Sequence, residues 1–238
     1  MSNAAILLAA GRSARMRGEV EDKISINVLN FPVFFYSLKA FAESDKMDFF
    51  AVVYRNEIQR EIFQKLVEAY FPKISGYVKW VQGGDARQIS VFNALQVIPE
   101  TIEYVFIHDC ARPLIQTKHI DALETTVKKD KAVTLAHHIT DTVKRNVSHS
   151  NRLYRCELED VDRDTLWAME TPQVFERQLI YDAYKNVFDN NKLVTDDVSA
   201  VLLQKIPVSI IENFDPNPKI TYPIDLQYIQ FLLENKVS

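Results

Sequence analysis

The sequence predicts an α/β fold, a Rossmann-like three-layer sandwich with a mostly parallel sheet and a protruding β-arm. Three observations carry that expectation. Short uncharged apolar runs, the mark of strands buried on both faces, alternate with stretches whose apolar residues recur at helical spacing. Two strand-like runs, Ala5-Ile6-Leu7-Leu8 and Tyr77 to Val81, the latter carrying Lys79, lead straight into glycine-bearing loops. From His137 to Arg163 the pattern changes to alternation with many polar residues and no helical stripe, which reads as an antiparallel extension.

The first strand, Ala5 to Leu8, is followed by Ala9-Ala10-Gly11-Arg12-Ser13-Ala14-Arg15-Met16-Arg17-Gly18-Glu19-Val20-Glu21-Asp22-Lys23, which holds four cations. The run Ala4 to Ala10 is too short for a signal-peptide core and has no positive charge before it, so it is read as a strand. In open α/β sheets ligands bind at the carboxyl ends of strands, where backbone N–H groups and cations converge on an anion. The loop is therefore a candidate phosphate cradle. Charge alone leaves a solvated basic loop equally open.

Phe31-Pro32 then opens a helix with Phe34, Leu38, Phe41 and Ala42 on its apolar side. Phe49 to Tyr54 is a buried strand, and Asn56 can cap the next helix, whose stripe Ile58, Ile62, Leu66 and Tyr70 is expected to face the core. The third strand runs into Gln82-Gly83-Gly84-Asp85-Ala86-Arg87, with Val91, Phe92 and Leu95 marking the following helix. The chain has only five glycines, and four of them, Gly11, Gly18, Gly83 and Gly84, sit in the two candidate loops. A tight turn can want glycine for its own sake. Two such loops, each with an arginine attached, point further.

Tyr104-Val105-Phe106-Ile107 is the fourth strand and ends in His108-Asp109-Cys110-Ala111-Arg112-Pro113. Asp109 is open to two readings, a turn cap paired with Arg112 or a ligand for metal or acceptor. The His108 side chain points to the other face of the strand and is given no chemical role. Ala132 to Ala136 is the fifth strand. The arm at about 137–165 follows, with Thr142-Val143-Lys144-Arg145 and Leu153-Tyr154-Arg155-Cys156 as its hairpin strands around a turn at Ser148 to Asn151. Such a hairpin is poorly supported alone, which favours packing against a second subunit over folding back. The chain rejoins the body at Leu166 to Gln173. A helix with Leu179, Ile180, Ala183 and Tyr184 comes next, then a helix start at Thr195-Asp196-Asp197, whose acids suit its first turn. Val208 to Ile211 is the last strand, and Lys219-Ile220-Thr221 precedes a closing helix from about Pro223.

The 238 residues, 25% charged, 47% hydrophobic and with a net charge of −4, read as one domain over residues 1–238 that lacks the basic excess of nucleic-acid binders. No apolar run reaches membrane-spanning length. Two cysteines, Cys110 and Cys156, suit a reducing cytoplasm. The expected partners include neither nucleic acid nor membrane.

Taken together, Leu8 to Met16 with Lys23, Gly83 to Val91, His108 to Pro113, Asp141-Thr142-Val143-Lys144-Arg145, Arg163, Thr171-Pro172-Gln173, Thr195-Asp196-Asp197 and Lys219-Ile220-Thr221 resemble the 2-C-methyl-D-erythritol 4-phosphate cytidylyltransferases of isoprenoid synthesis. The resemblance spans nearly the whole chain. It implies transfer of CMP from CTP to the sugar-alcohol phosphate, with Mg2+ as cofactor. Arg15 and Lys23 would be catalytic; Ala9, Ala10, Gly11, Gly83, Asp85, Arg87 and Ser90 would bind the nucleotide. Asp109, Arg112, Thr142, Arg163 and Lys219 would bind the acceptor, with Asp109 also near the metal. A homodimer through the arm would make each site composite. The sequence departs from the family where Asp22-Lys23-Ile24 replaces the usual Pro-Lys-Gln, where Cys110 replaces a smaller residue, and where Arg17 stands in the usual place of a glycine. The related ribitol 5-phosphate cytidylyltransferases and a catalytically silent nucleotide-binding homologue remain alternative expectations.

Overall fold

The computed structural model describes residues 2–11, 16, 22–148 and 156–235. Its centre is a seven-stranded sheet. β1 (Asn3–Leu8), β4 (Phe49–Tyr54), β5 (Val78–Gln82), β6 (Tyr104–Asp109), β7 (Ala132–His138) and β11 (Ser209–Glu212) run parallel, and β10 (Trp167–Glu176) runs against them in the order β11-β7-β10-β6-β1-β4-β5. β2 (Asn27–Val28) and β3 (Phe31–Pro32) form a small separate ribbon.

Period-two alternation divides the core. Ala5 and Leu7 of β1 pack on one face, under α1 (Val33–Glu43), α2 (Glu57–Tyr70), α4 (Thr117–Asp130) and α7 (Pro223–Glu234). Ala4 and Ile6 pack on the other, under α3 (Arg87–Leu95), α5 (Arg177–Asp189) and α6 (Asp197–Leu202). This is the expected Rossmann-like sandwich. Burial on both faces explains why β1, β4 and β6 read as continuous apolar runs.

Two local expectations need correction. In α2 the Asn56 cap forms, with its side chain accepting from the Gln59 N–H at 3.0 Å, but the buried face is Gln59, Phe63, Leu66 and Val67. Ile58 and Tyr70 are 72% and 57% exposed. The Phe34–Phe63 stack, with ring centroids 4.1 Å apart, sets the helix rotation. In the arm, β8 (Lys144–Asn146) pairs with β9 (Leu158–Asp160), so the returning strand lies later than Leu153 to Cys156; residues 149–155 lie outside the described part. Cross-strand pairs Lys144–Asp160 and Arg145–Glu159 select this register. Leu166 to Gln173 rejoins the body as expected, largely as the antiparallel strand β10, which stitches β6 to β7.

His108 shows how closely the sheet is packed beneath the site. The Thr171 hydroxyl accepts from the Asp109 N–H (3.1 Å) and so donates to His108 Nδ1 (3.2 Å), leaving His108 Nε2–H to donate to the Arg112 carbonyl (3.2 Å). Complete burial lowers the imidazole to about 3 from 6.5. Below pH 6.5 the unfolded chain therefore binds a proton that the folded chain refuses. This contribution to stability is full above that value and declines toward pH 3, by about 1.4 kcal/mol per unit. Urea midpoints between pH 7 and pH 4 should fall more steeply for the wild type than for His108→Gln, and parallel curves would exclude the assignment.

Candidate active site

The strand order reverses between β1 and β6, and the carboxyl ends of both strands open there, as ligand sites in such sheets do. A cavity of about 330 Å3 lies at this point. Its walls include Ala10, Gly11, Lys23, Gly84, Asp85, Arg87, Ser90, Asp109 and Lys219, so most of the expected site is brought together.

The glycine loop after β5 is held close to the loop after β1. Gly83 N–H donates to Tyr54 O at 2.8 Å, and a Cβ on Gly83 would lie 2.4 Å from Ala10 Cβ. Ser90 Oγ accepts from Gly84 N–H at 3.0 Å, so its own hydrogen can donate toward the cavity. Ala9 and Gly83 stand behind the wall. The Ala9 N–H donates to Val53 O (2.9 Å), and its carbonyl accepts from Gln59 Nε2 (3.2 Å).

Lys23 is buried, and its ammonium donates to the Ile220 carbonyl at 2.5 Å. The Ile220 N–H in turn donates to Ala111 O (2.8 Å), so the peptide that follows Lys219 is fixed between the end of β6 and Lys23. Lys219 then reaches Asp109 Oδ2. Asp22 shapes the turn that presents Lys23: Oδ1 accepts from Ile24 N–H (3.0 Å), and Oδ2 accepts from Ser25 Oγ and Gln59 Nε2 (both 2.7 Å). A capping carboxylate thus restrains by hydrogen bonding a turn that a proline would restrain through its ring. Asp22→Ala should cost about 1–2 kcal/mol of stability and slow turnover about tenfold. Asp22→Ala with unchanged melting and kinetics would remove that role.

Charges alternate across the cavity floor. Arg87 makes a paired contact with Asp197, 2.9 Å to Oδ1 and 2.7 Å to Oδ2, while its Nε lies 3.1 Å from Asp109 Oδ1. Asp197 is fully buried and also accepts from the Tyr184 hydroxyl at 2.5 Å. Burial alone would raise the Asp109 carboxyl, but Arg87 and then Lys219 overcome this and hold it far below the usual range. Burial would likewise lower the Arg87 guanidinium, yet Asp197 and Asp109 raise it well above its ordinary value. Asp109 is therefore a fixed anion and Arg87 a fixed cation whose charge is already matched. Cys110 is buried with its thiol pushed well up by desolvation, in keeping with packing and not nucleophilic attack.

Other expected residues are not in this cavity. Arg112 is turned toward backbone, donating to Asn217 O (2.6 Å) and Met169 O (3.3 Å), and lines a neighbouring cavity that Lys219 shares. Thr142 is exposed on the arm, and Arg163 donates to Thr140 O at 2.9 Å beside a separate hollow. Arg15 lies outside the described residues.

A sequence profile described as IspD, 2-C-methyl-D-erythritol 4-phosphate cytidylyltransferase, matches residues 3–235. The chain belongs to this family. Curated relatives bearing the same enzyme name include one from Dictyoglomus thermophilum, 34% identical over 229 residues, which cover 96% of this chain and 95% of that one. Another, from Caldanaerobacter subterraneus subsp. tengcongensis, is 34% identical over 233 residues, or 98% and 99% of the two chains. Among solved structures, the 4-diphosphocytidyl-2C-methyl-D-erythritol synthase of Anaerococcus prevotii superposes with a TM-score of 0.82 at 25% identity, covering 98% of each chain. The 2-C-methyl-D-erythritol 4-phosphate cytidylyltransferase of Francisella tularensis gives 0.77 at 27% identity, covering 97% and 99%.

Within this cytidylyltransferase fold, several residues that build the site lie in motifs that do not reveal what they pair with. Asp197 reads as a first-turn acid; its 110-residue separation from Arg87 hides their pairing. Gln173, whose Oε1 accepts from the N–H groups of Asp197 (3.0 Å) and Val198 (2.9 Å), holds the start of α6 in place. Its position next to Thr171-Pro172 in a polar stretch between apolar residues was the available clue.

Proposed function

We propose that the protein transfers CMP from CTP to 2-C-methyl-D-erythritol 4-phosphate, releasing pyrophosphate and forming 4-diphosphocytidyl-2-C-methyl-D-erythritol. The observation that carries this reading is Asp109, held ionised between Arg87 and Lys219 at the switch point, across a cavity from Lys23 and the glycine loop. The family match supplies the substrate class.

An acceptor phosphate oxygen attacks the α-phosphorus in line. The new P–O bond forms as the bond from α-phosphorus to the bridging oxygen breaks, and pyrophosphate carries away the electron pair. A phosphate monoester is largely dianionic at pH 7, so no general base is needed. The difficulty is to bring two polyanions together, which makes positioning and charge stabilisation the whole of the catalysis. Lys23 and Arg15 stabilise the charge on the α-phosphate. Ala10 and Gly11 approach the nucleotide through backbone, while Gly84, Asp85 and Ser90 border the base. Ala9 and Gly83 act from behind this wall by fixing its shape, and Arg87, within the wall, holds Asp109 and Asp197 in place. Lys219 meets the acceptor phosphate.

Among the described residues no group of three metal-ligating side chains occurs, so no all-protein metal cage is present there. A divalent metal, which we take to be Mg2+, fits the pattern of one carboxylate plus substrate phosphates, with Asp109 as that carboxylate. When bound it neutralises phosphate charge. We read the chain as one domain with an arm at about 137–165 that reaches a second copy. The exposed strands of the arm, with Leu158 61% exposed, and the distance of Thr142 and Arg163 from their own cavity support a composite site in a homodimer. Arg112 would support the acceptor subsite through Asn217 and the shared cavity. A chain with only two cysteines, of which Cys110 is packed inside the body, supports a cytoplasmic setting.

The purified chain with CTP and Mg2+ should release pyrophosphate with 2-C-methyl-D-erythritol 4-phosphate. Faster release with ribitol 5-phosphate would change the substrate, and CTP binding without release for either acceptor would defeat the enzymatic reading.

A further inference from the structure

We propose that Glu170 is a positioning residue that places Lys219 in the site by clasping the loop before it. Glu170 lies on β10 and is 2% exposed. Its Oε2 accepts from Asn213 Nδ2 at 2.9 Å and from Asn217 Nδ2 at 2.8 Å, and its Oε1 lies 2.6 Å from His137 Nδ1. Asn213 and Asn217, both buried, bracket the irregular segment between β11 and Lys219. Hydrogen bonds from one side chain to both ends of the loop tie those ends to β10. Between them Asp215 is drawn to the other side, accepting from His119 Nε2 at 2.7 Å, so the loop is fastened along both edges. Lys219 follows Asn217 by two residues, so the position of the loop sets the point from which its side chain reaches Asp109. Thr171, next to Glu170, holds the backbone of Asp109 itself. Adjacent residues of one strand thus fix both partners of the Lys219–Asp109 pair.

This inference rests on the proposed role of Lys219 at the acceptor. In the full-length chain, Glu170→Ala should lower kcat/KM for the acceptor at least about tenfold, since small displacements of a positioned group are costly. KM for CTP should change by less than about threefold. Glu170→Gln should remain within about threefold of wild type, because its carbonyl oxygen can take both asparagine donors and its NH2 can donate to His137 Nδ1. If Glu170 acts through Lys219, the double variant Glu170→Ala/Lys219→Ala is no slower than Lys219→Ala alone. Hydrogen exchange over residues 213–220 should accelerate in Glu170→Ala and not in Glu170→Gln. Asn217→Ala tests the same clasp from the loop side if Glu170→Ala does not fold, with the same expected loss and the same lack of additivity with Lys219→Ala. Multiplying losses, an acceptor rate like wild type in either folded truncation, or Glu170→Gln as damaged as Glu170→Ala would overturn the proposal. Should the wild type release no pyrophosphate with any acceptor, the acceptor reading falls. Hydrogen exchange then decides the clasp, with acceleration upholding it and unchanged exchange overturning it.

Discussion

Arg87→Ala lowers the free energy of unfolding by about 3–5 kcal/mol, because it breaks a buried ion pair and leaves the Asp197 side chain without its cationic partner. The Tyr184 hydroxyl and the backbone of α6 do not replace that cation. Asp109 loses one of its two charge partners at the same time, so pyrophosphate release falls with stability. Arg87→Lys should recover only part of either quantity, since a single ammonium cannot reproduce the two parallel bonds to Asp197 together with the bond to Asp109. Urea unfolding of the three proteins gives the comparison. A loss below about 1 kcal/mol in Arg87→Ala would mean that the pairs are no stronger than surface ones.

Lys23→Ala and Arg15→Ala each reduce turnover about a hundredfold, or about 3 kcal/mol of transition-state stabilisation, if both cations meet the charge developing on the α-phosphate. The two variants should differ in stability. Lys23 also satisfies the Ile220 carbonyl, so its removal strands a buried acceptor and costs about 1–3 kcal/mol in folding as well. Lys23→Met retains the buried stem and separates packing from charge. Its turnover should match that of Lys23→Ala. Steady-state rates at saturating CTP and acceptor read this directly, and near-normal turnover in both Lys23→Ala and Arg15→Ala would exclude the assignment.

Much of the site was legible before the fold was known, because strand ends and glycine loops are local features. Gly83, Gly84 and Asp109 lie in short segments that read locally as a tight turn and a strand end, whereas Lys23, Ser90 and Lys219 were placed only by the family resemblance. The rotation of α2 was not legible. Its sequence carries Ile58 and Ile62 on one side and Phe63 and Val67 on another, and helical periodicity cannot rank two apolar faces. The contact with Phe34, together with the demand of Ala9 and Asp22 for the Gln59 amide, selects the second. The arm shows a similar limit. Alternation announces a hairpin there, but only the pairing of Lys144 with Asp160 and Arg145 with Glu159 sets its register.

The sequence alone therefore determined the α/β layers, the two glycine loops and the strand ends that carry Asp109 and the loop to Lys23, since each follows from neighbouring residues and the burial of a strand on both faces. Tertiary structure decided which charges meet. Arg87 with Asp197, Glu170 with Asn213 and Asn217, and Lys23 with Ile220 are joined across tens to hundreds of residues, because electrostatic and hydrogen-bond energies depend on distance through space and not along the chain.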